Sequence, residues 1–152
     1  MKLPATGSCQ CGKVTYQVTE PPLITVACHC LDCQKASGAA FSISMVLRES
    51  GFEVTAGEVV KWDRPTEQGG VAQCWFCPNC GNRIYHDSPA LPGIIRLKPG
   101  TLDDTSAINP AAHVWTCREQ PWLAHFGDIH REDTQPDIAA AMAALAEGKS
   151  PF

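Results

Sequence analysis

Short apolar runs separated by glycine and proline occupy most of the chain. Val14, Tyr16 and Val18 alternate with polar residues, which places these three side chains on one face of an extended strand. Runs of the same kind predict strands over residues 13–18, 23–27, 40–47, 58–62, 71–76, 83–86, 93–98 and 112–116. Because turn-forming residues punctuate the runs, the pattern predicts a mostly β fold built from antiparallel sheets.

One segment near the C-terminus has the periodicity of a helix instead. Apolar side chains recur at helical spacing from Ile138 to Leu145 in an alanine-rich stretch, which predicts a short helix over residues 137–147. A proline precedes this stretch and a glycine follows it, as expected at the two ends of a helix. The predicted organisation is a zinc-binding β domain over residues 1–134, followed by a helix and tail over residues 135–152.

The composition limits the classes of function. The chain has 152 residues, enough for one domain with a core, and 18% of them are charged, with a formal net charge of -4. Its 12 lysine and arginine residues are scattered, so we expect no binding to nucleic acid, whose phosphates require clustered positive charge. No apolar run reaches the length of a membrane-spanning helix, and the first residues lack the apolar segment of a signal peptide. We therefore expect a cytoplasmic protein with no membrane association.

Nine cysteines dominate the candidate chemistry. In a reducing compartment, cysteines at this density are more consistent with metal ligands than with disulfide bonds. Seven of the nine fall into three clusters with ligand-like spacing: Cys9 and Cys11; Cys28, Cys30 and Cys33; Cys77 and Cys80. The alternative interpretation is that they are small buried apolar side chains.

Two of the clusters together predict a closed structural zinc site. Cys77 and Cys80 are three residues apart and are followed by Gly81, so that both sulfurs can bind one ion across a tight turn. Cys9 and Cys11 lie two apart on an extended segment, which directs both sulfurs to the same side. Four thiolates complete a tetrahedral site, and such a site contributes directly to the free energy of folding.

The remaining cluster predicts a second zinc ion with an open coordination position. Cys28, Cys30 and Cys33 supply three ligands from one short stretch, and an open position is characteristic of catalytic zinc. A thiol that binds zinc loses its proton and becomes a nucleophile. Ser37 and Gly38 follow the cluster, and we predict that their small side chains leave room for a bound ligand.

Three other residues allow more than one interpretation. His29 lies between two predicted ligands and is expected to face away from them, although histidine is a common zinc ligand. Cys74 is predicted to be a buried strand residue, with a fourth ligand of the open site or a reserve thiol as alternatives. His113 is either a buried, hydrogen-bonded imidazole or a proton shuttle at the active site.

Three motifs carry a resemblance to a known family: Gly7-Ser8-Cys9-x-Cys11-Gly12, Cys28-His29-Cys30-x-x-Cys33 and Phe76-Cys77-Pro78-x-Cys80-Gly81. In this order they resemble the glutathione-dependent formaldehyde-activating enzyme (Gfa-like) family, over about residues 7–128. The resemblance implies a β-tent fold whose antiparallel sheets are held together by zinc, with two zinc ions in all. It also implies that glutathione binds at the zinc of the three-cysteine cluster and condenses there with formaldehyde to S-(hydroxymethyl)glutathione. Cys74 departs from the family pattern.

Together with the cysteine clusters, the resemblance implies a zinc-dependent carbon–sulfur lyase that acts on the adduct of an aldehyde with glutathione or another small thiol. The predicted catalytic residues are Cys28, Cys30, Cys33 and His113. Two alternatives remain: a zinc-containing thiol carrier or sensor without turnover, and a protein-interaction module. The sequence leaves the oligomeric state open.

Overall fold

The structure, a computed structural model, describes residues 1–125 and 130–151, without the side chains of Ala124 and His125. Within the described residues it has eleven strands: β1 (Ala5–Ser8), β2 (Thr15–Val18), β3 (Ile24–Cys28), β4 (Ser42–Arg48), β5 (Phe52–Ala56), β6 (Val60–Pro65), β7 (Val71–Phe76), β8 (Arg83–Asp87), β9 (Ile94–Leu97), β10 (Ala112–Val114) and β11 (His130–Glu132). Two α-helices accompany them, α1 (Leu31–Ser37) and α2 (Ile138–Ala146). The chain divides into two units: Met1–Ile24 with Ser44–Ile108, and Thr25–Ile43 with Asn109–Phe152.

The first unit contains two antiparallel arrays of strands. One has the order β1-β2-β5, and the other has the order β4-β9-β8-β7-β6. The aromatic ring of Phe52 on β5 lies 5.4 Å from that of Tyr16 on β2 and 5.0 Å from that of Tyr85 on β8, measured between centroids. Leu97 and Met45 pack in the same core and are almost fully buried. Burial of side chains of this size contributes about 1.5–3 kcal/mol each, so this core is a main source of the unit's stability.

The second unit is built differently, because its strands run parallel. β10 pairs with β3 on one side and with β11 on the other, and both pairs are parallel. The predicted antiparallel sheets therefore describe the first unit, whereas this part of the chain is parallel. More than 80 residues separate β3 from β10, and a connection of that length allows the chain to return in either direction. The register places His113 opposite Ala27 and Val114 opposite Cys28.

Each of the eight predicted strands overlaps an observed one, and the predicted C-terminal helix is confirmed as α2. The Asp137 side chain caps that helix by accepting a hydrogen bond of 3.0 Å from the backbone N–H of Ala140. The sequence analysis missed β1, β5, β11 and α1, all short. The β-tent arrangement and the division at residue 134 stay predictions. No helix of the described residues is long and apolar enough to cross a membrane.

Candidate metal and active sites

The first unit brings four cysteine sulfurs together. The Sγ atoms of Cys9, Cys11, Cys77 and Cys80 all lie within 4.8 Å of one another. The Sγ atoms of Cys9 and Cys11 are 3.4 Å apart, and those of Cys11 and Cys77 are 3.8 Å apart. These are the four residues that the sequence analysis assigned to the closed site.

Two tight turns position these sulfurs. Gly12 has a φ of +74° and donates its N–H to the carbonyl oxygen of Cys9 at 2.9 Å, and this bond closes the first turn. Gly81 has a φ of +70° and donates its N–H to the carbonyl oxygen of Cys77 at 2.9 Å, in the turn between β7 and β8. The backbone N–H of Val14 approaches the sulfur of Cys9 at 3.2 Å. Such N–H groups stabilise negative charge on the sulfurs.

The four-cysteine cluster fits a tetrahedral zinc ion. Zn–S bonds of about 2.3 Å separate neighbouring sulfurs by about 3.8 Å. The Cys9–Cys11 and Cys11–Cys77 sulfur–sulfur distances, 3.4 and 3.8 Å, are close to this value and are far too long for a disulfide bond of about 2.0 Å. A hydrogen bond from the backbone N–H of Lys13 is the main reason why the pKa of the Cys11 thiol falls to about 6. The site can therefore hold a metal ion with thiolate ligands.

The second unit carries the three-cysteine cluster. Cys28 ends β3, Cys30 is the residue before α1, and Cys33 lies in the first turn of that helix. All three are half-buried, and their Sγ atoms lie within 4.8 Å of one another. The Cys30 sulfur accepts a hydrogen bond of 3.3 Å from the backbone N–H of Cys33 and thereby caps the helix. The neighbouring Cys30 and Cys33 sulfurs, followed by burial, raise the pKa of the Cys28 thiol, so that a cation is needed for all three to be ionised together.

Ser37 and Gly38, the predicted ligand-binding residues, form the end of α1. The Ser37 hydroxyl lies within hydrogen-bonding distance of the carbonyl oxygens of Cys33, at 2.8 Å, and of Phe41, at 2.9 Å. Gly38 adopts a φ of +63°, and no atom lies within 4 Å of the position that a Cβ would occupy there. Both residues thus terminate the helix beside the cysteine cluster. Their role in ligand binding stays a prediction.

A buried histidine pair lies next to the end of β3. The Nε2 atom of His29 and the Nδ1 atom of His113 are 2.8 Å apart, and both rings are almost completely buried. The backbone N–H of His29 donates to the carbonyl oxygen of Val114 at 3.0 Å and ties this segment to β10. Glu119 approaches His113 at 3.9 Å through its Oε1 atom, and its other oxygen forms an ion pair with Arg131.

Burial keeps both imidazoles of this pair neutral near pH 7. It is the largest cause that lowers the pKa of His29 and of His113, and the Arg131 charge lowers the pKa of His113 further. Among the described residues, the Nδ1 atom of His29 and the Oε1 atom of Glu119 are buried without a hydrogen-bond partner. The sequence analysis considered the two histidines separately and missed Glu119 and Arg131. No local spacing connects these residues, because β3 and β11 both pair with β10 and thereby bring His29 and Arg131 beside His113.

Comparison with known proteins shows the family. Residues 4–118 match the sequence profile of a family described as glutathione-dependent formaldehyde-activating enzyme. The chain belongs to this family. The matched residues include both cysteine clusters and His113, while α2 lies beyond them.

Two relatives illustrate this membership. A protein of Sordaria macrospora, whose name places it among the glutathione-dependent formaldehyde-activating enzymes, is 34% identical over 93 residues. That match covers 55% of this chain but only 37% of the relative, so the chain spans well under half of that protein's length. The crystal structure of a Rhodobacter sphaeroides protein, a structural genomics target, superposes with a TM-score of 0.54 at 21% identity. The match covers 83% of this chain and 98% of that one and establishes a shared fold.

Cys74, which departs from the family pattern, lies apart from the two cysteine clusters. It is buried in β7, as the preferred interpretation of the sequence predicted. Its sulfur lies 3.2 Å from the Nη2 atom of Arg83 and belongs to neither of the cysteine groups that could hold a metal ion in the described part of the chain. The structure therefore favours a buried strand residue over a fourth zinc ligand.

The variant Cys74→Ala tests this assignment. We expect it to retain the full metal content and to lose about 1 kcal/mol of unfolding free energy, because it removes one buried sulfur and its contact with Arg83. Chemical denaturation and elemental analysis of the same preparation would measure both quantities. Loss of one zinc ion per chain would instead identify Cys74 as a ligand.

The metal content of the wild-type protein is a separate prediction. Two clusters of cysteine sulfurs are each compact enough to hold one ion, so protein purified without chelator should contain two zinc ions per chain. Inductively coupled plasma mass spectrometry, referenced to amino-acid analysis, gives this ratio. A folded protein with no bound metal would contradict both assignments.

Proposed function

We propose that this chain binds glutathione or a closely similar thiol and acts on its adduct with an aldehyde, as a zinc-dependent carbon–sulfur lyase of the S-(hydroxymethyl)glutathione synthase type. Family membership supports the choice of thiol and aldehyde, since the family is described by glutathione and formaldehyde. The curated relative is much longer than the segment that matches this chain, so the activity of the whole relative is extended to this chain only as a proposal. It includes a cytoplasmic location, where such thiol clusters stay reduced.

The observation that carries the proposal is the number of sulfurs in the second cluster. Three cysteines converge there, whereas four converge in the first unit, and no further candidate ligand of the described residues belongs to the group of three. A zinc ion with three protein ligands accepts a fourth ligand, and a thiol bound to it is held as the thiolate. In general, structural zinc sites have four protein ligands and catalytic zinc sites have three.

The protein's own residues then position the reactants and transfer the proton. Cys28, Cys30 and Cys33 would hold a zinc ion at the end of β3, and that ion would keep the thiol of the ligand deprotonated for attack on the carbonyl carbon of the aldehyde. As the carbon–sulfur bond forms, the carbonyl oxygen becomes an alkoxide and must gain a proton. We assign this transfer to His113, which takes up the proton that the thiol loses and passes it to that oxygen, directly or through a water molecule. Its Nδ1 atom is engaged by His29, so Nε2 is the atom that exchanges the proton.

Measurement of the reaction rate separates an enzyme from a carrier. Glutathione and formaldehyde combine without a catalyst, so the relevant quantity is the rate of S-(hydroxymethyl)glutathione formation with protein above the rate without it, followed by exchange NMR. We expect saturable acceleration by the wild type. If a zinc-replete protein binds glutathione but does not accelerate the reaction, the protein is a carrier or sensor and not an enzyme.

The variant His113→Gln tests the proton transfer. We expect it to reduce the protein-dependent rate by about 100-fold, the lower end of the usual contribution of general acid–base catalysis, and to leave glutathione affinity unchanged. The matched control is His130→Gln, which removes an exposed imidazole from the same unit and should retain the wild-type rate. Equal rates for the two variants would remove His113 from the mechanism.

A further inference from the structure

One face of the β4-β9-β8-β7-β6 array carries an unusual row of side chains. The strand register places Trp62, Cys74, His86 and Arg96 directly opposite one another across β6, β7, β8 and β9. Residues in register on neighbouring strands point to the same side of a sheet. Trp62, at one end of the row, is exposed, whereas Cys74 is buried. The row therefore begins in solvent at Trp62 and is buried at Cys74, while His86 and Arg96 are half-buried.

Four positively charged side chains gather on this face. Arg64 lies two residues from Trp62 along β6 and so shares its side. Arg83 reaches the sulfur of Cys74 through Nη2 at 3.2 Å. Lys98 donates from Nζ to the Ser44 hydroxyl at 2.9 Å, and Ser44 lies two residues before the β4 partner of Arg96. Arg96 is the fourth, and it lies directly opposite His86 in the strand register.

The same four cations act on the protonation of His86. Burial is the largest cause that lowers its pKa well below the usual value, and the charges of Lys98, Arg83, Arg96 and Arg64 add to it. Burial also lowers the pKa of Arg96, whose interaction with the Asp87 carboxylate acts in the opposite direction. Asp87 is offset by one residue from His86 along β8 and accepts a hydrogen bond from the Trp75 indole at 3.3 Å. Its side chain therefore belongs to the opposite face.

In this cluster, Nε of Arg83 and Nδ1 of His86 are buried without a hydrogen-bond partner among the described residues. A buried cationic donor without an acceptor is strongly unfavourable, and like charges gathered in a partly buried place repel one another. Both problems disappear when an anion with several oxygens occupies the cluster, because each oxygen accepts charge-assisted hydrogen bonds.

We propose that Arg64, Arg83, His86, Arg96 and Lys98 form a binding site for a small anion with two or more carboxylate or phosphate oxygens. The arginines supply planar pairs of N–H groups that match such oxygens, and a neutral His86 supplies a hydrogen bond without further charge. The site belongs entirely to the first unit and does not depend on the three-cysteine cluster or on the proposed lyase activity.

Isothermal titration of the full chain with three probes tests the proposal and identifies the source of the anion. The probes are inorganic phosphate, glutarate as a dicarboxylate, and S-methylglutathione, which has two carboxylates but no free thiol. We expect saturable binding of at least one probe. Binding of phosphate alone assigns the site to a phosphorylated compound, and binding of glutarate or S-methylglutathione assigns it to a carboxylate. Absence of binding by all three overturns the proposal.

Variants locate the binding. Arg96→Gln should weaken binding by about tenfold or more, since it removes charge-assisted hydrogen bonds. The matched control Lys61→Gln removes one positive charge from the same sheet on the opposite face, where Lys61 pairs with Asp63 at 3.1 Å, and should change affinity less than about twofold. If both variants weakened anion binding equally, the binding would reflect general attraction to positive charge, and the proposed site would be overturned. Arg83→Gln gives a second test if Arg96→Gln folds poorly.

Discussion

The variant Cys77→Ser is expected to leave the protein largely unfolded at 25 °C. Cys77 is almost completely buried, and its sulfur is one of four that converge in the first unit. Zinc binding by small structural sites supplies about 10–16 kcal/mol, comparable with the whole stability of a domain, about 5–15 kcal/mol. Loss of one ligand therefore removes a large share of the folding free energy. Circular dichroism on heating, together with elemental analysis, would show an absent cooperative transition and a low zinc content.

The matched control is Cys30→Ser in the second unit. Cys30 caps α1 through its sulfur, and serine is a favourable capping residue, so the substitution removes a thiolate ligand while it retains the cap. We expect a folded protein with one zinc ion fewer per chain and a melting temperature close to that of the wild type. Equal destabilisation by the two substitutions would contradict the distinction between a structural and a reactive site.

Glutathione binding through its thiol is expected to weaken sharply in Cys30→Ser. In the wild type, three sulfurs leave one coordination position for the thiol, whereas the variant has only two of these ligands. Isothermal titration at pH 7 should give saturable binding to the wild type and a decrease in affinity of at least about 100-fold in the variant, since the metal–thiolate contact is lost. Binding should also weaken as the pH falls, because protons compete with zinc for the cysteine ligands.

A second cysteine variant controls for general effects of losing a thiol. Cys74→Ala removes a buried sulfur from the first unit and should bind glutathione as the wild type does. Undiminished binding by Cys30→Ser would show that the thiol is held elsewhere. No binding by a zinc-replete wild type would remove glutathione as the substrate and leave another thiol or a protein-interaction role.

The local parts of the two candidate sites were predictable from sequence. The spacing of Cys77 and Cys80 before Gly81 defines a tight chelating turn, and the structure has that turn with Gly81 in the left-handed conformation. The distant pairing of Cys9 and Cys11 with Cys77 and Cys80 was predicted by counting ligands, and the structure brings these four sulfurs together. Such predictions work because metal coordination restricts the chain over very few residues.

The missed features depend on contacts between distant segments. Helix α1 has seven residues and none that is buried, so that no apolar periodicity reveals it, and its limits are set by Cys30 and Gly38. The contact between His29 and His113 joins residues 84 positions apart and exists only because β10 returns parallel to β3. The basic face around His86 likewise depends on the register of several strands. Local patterns along the chain do not indicate which distant segments pair with one another.

X-ray absorption at the zinc edge, before and after glutathione is added, tests the central claim most directly. Four cysteine ligands at one site and three at the other give an average of about 3.5 sulfurs per zinc ion. Glutathione bound through its sulfur at the second site should raise this average to about 4, and Cys30→Ser should show no such increase. An average of about 4 without glutathione, or one that does not change when it is added, would contradict a thiol-binding zinc site at Cys28, Cys30 and Cys33.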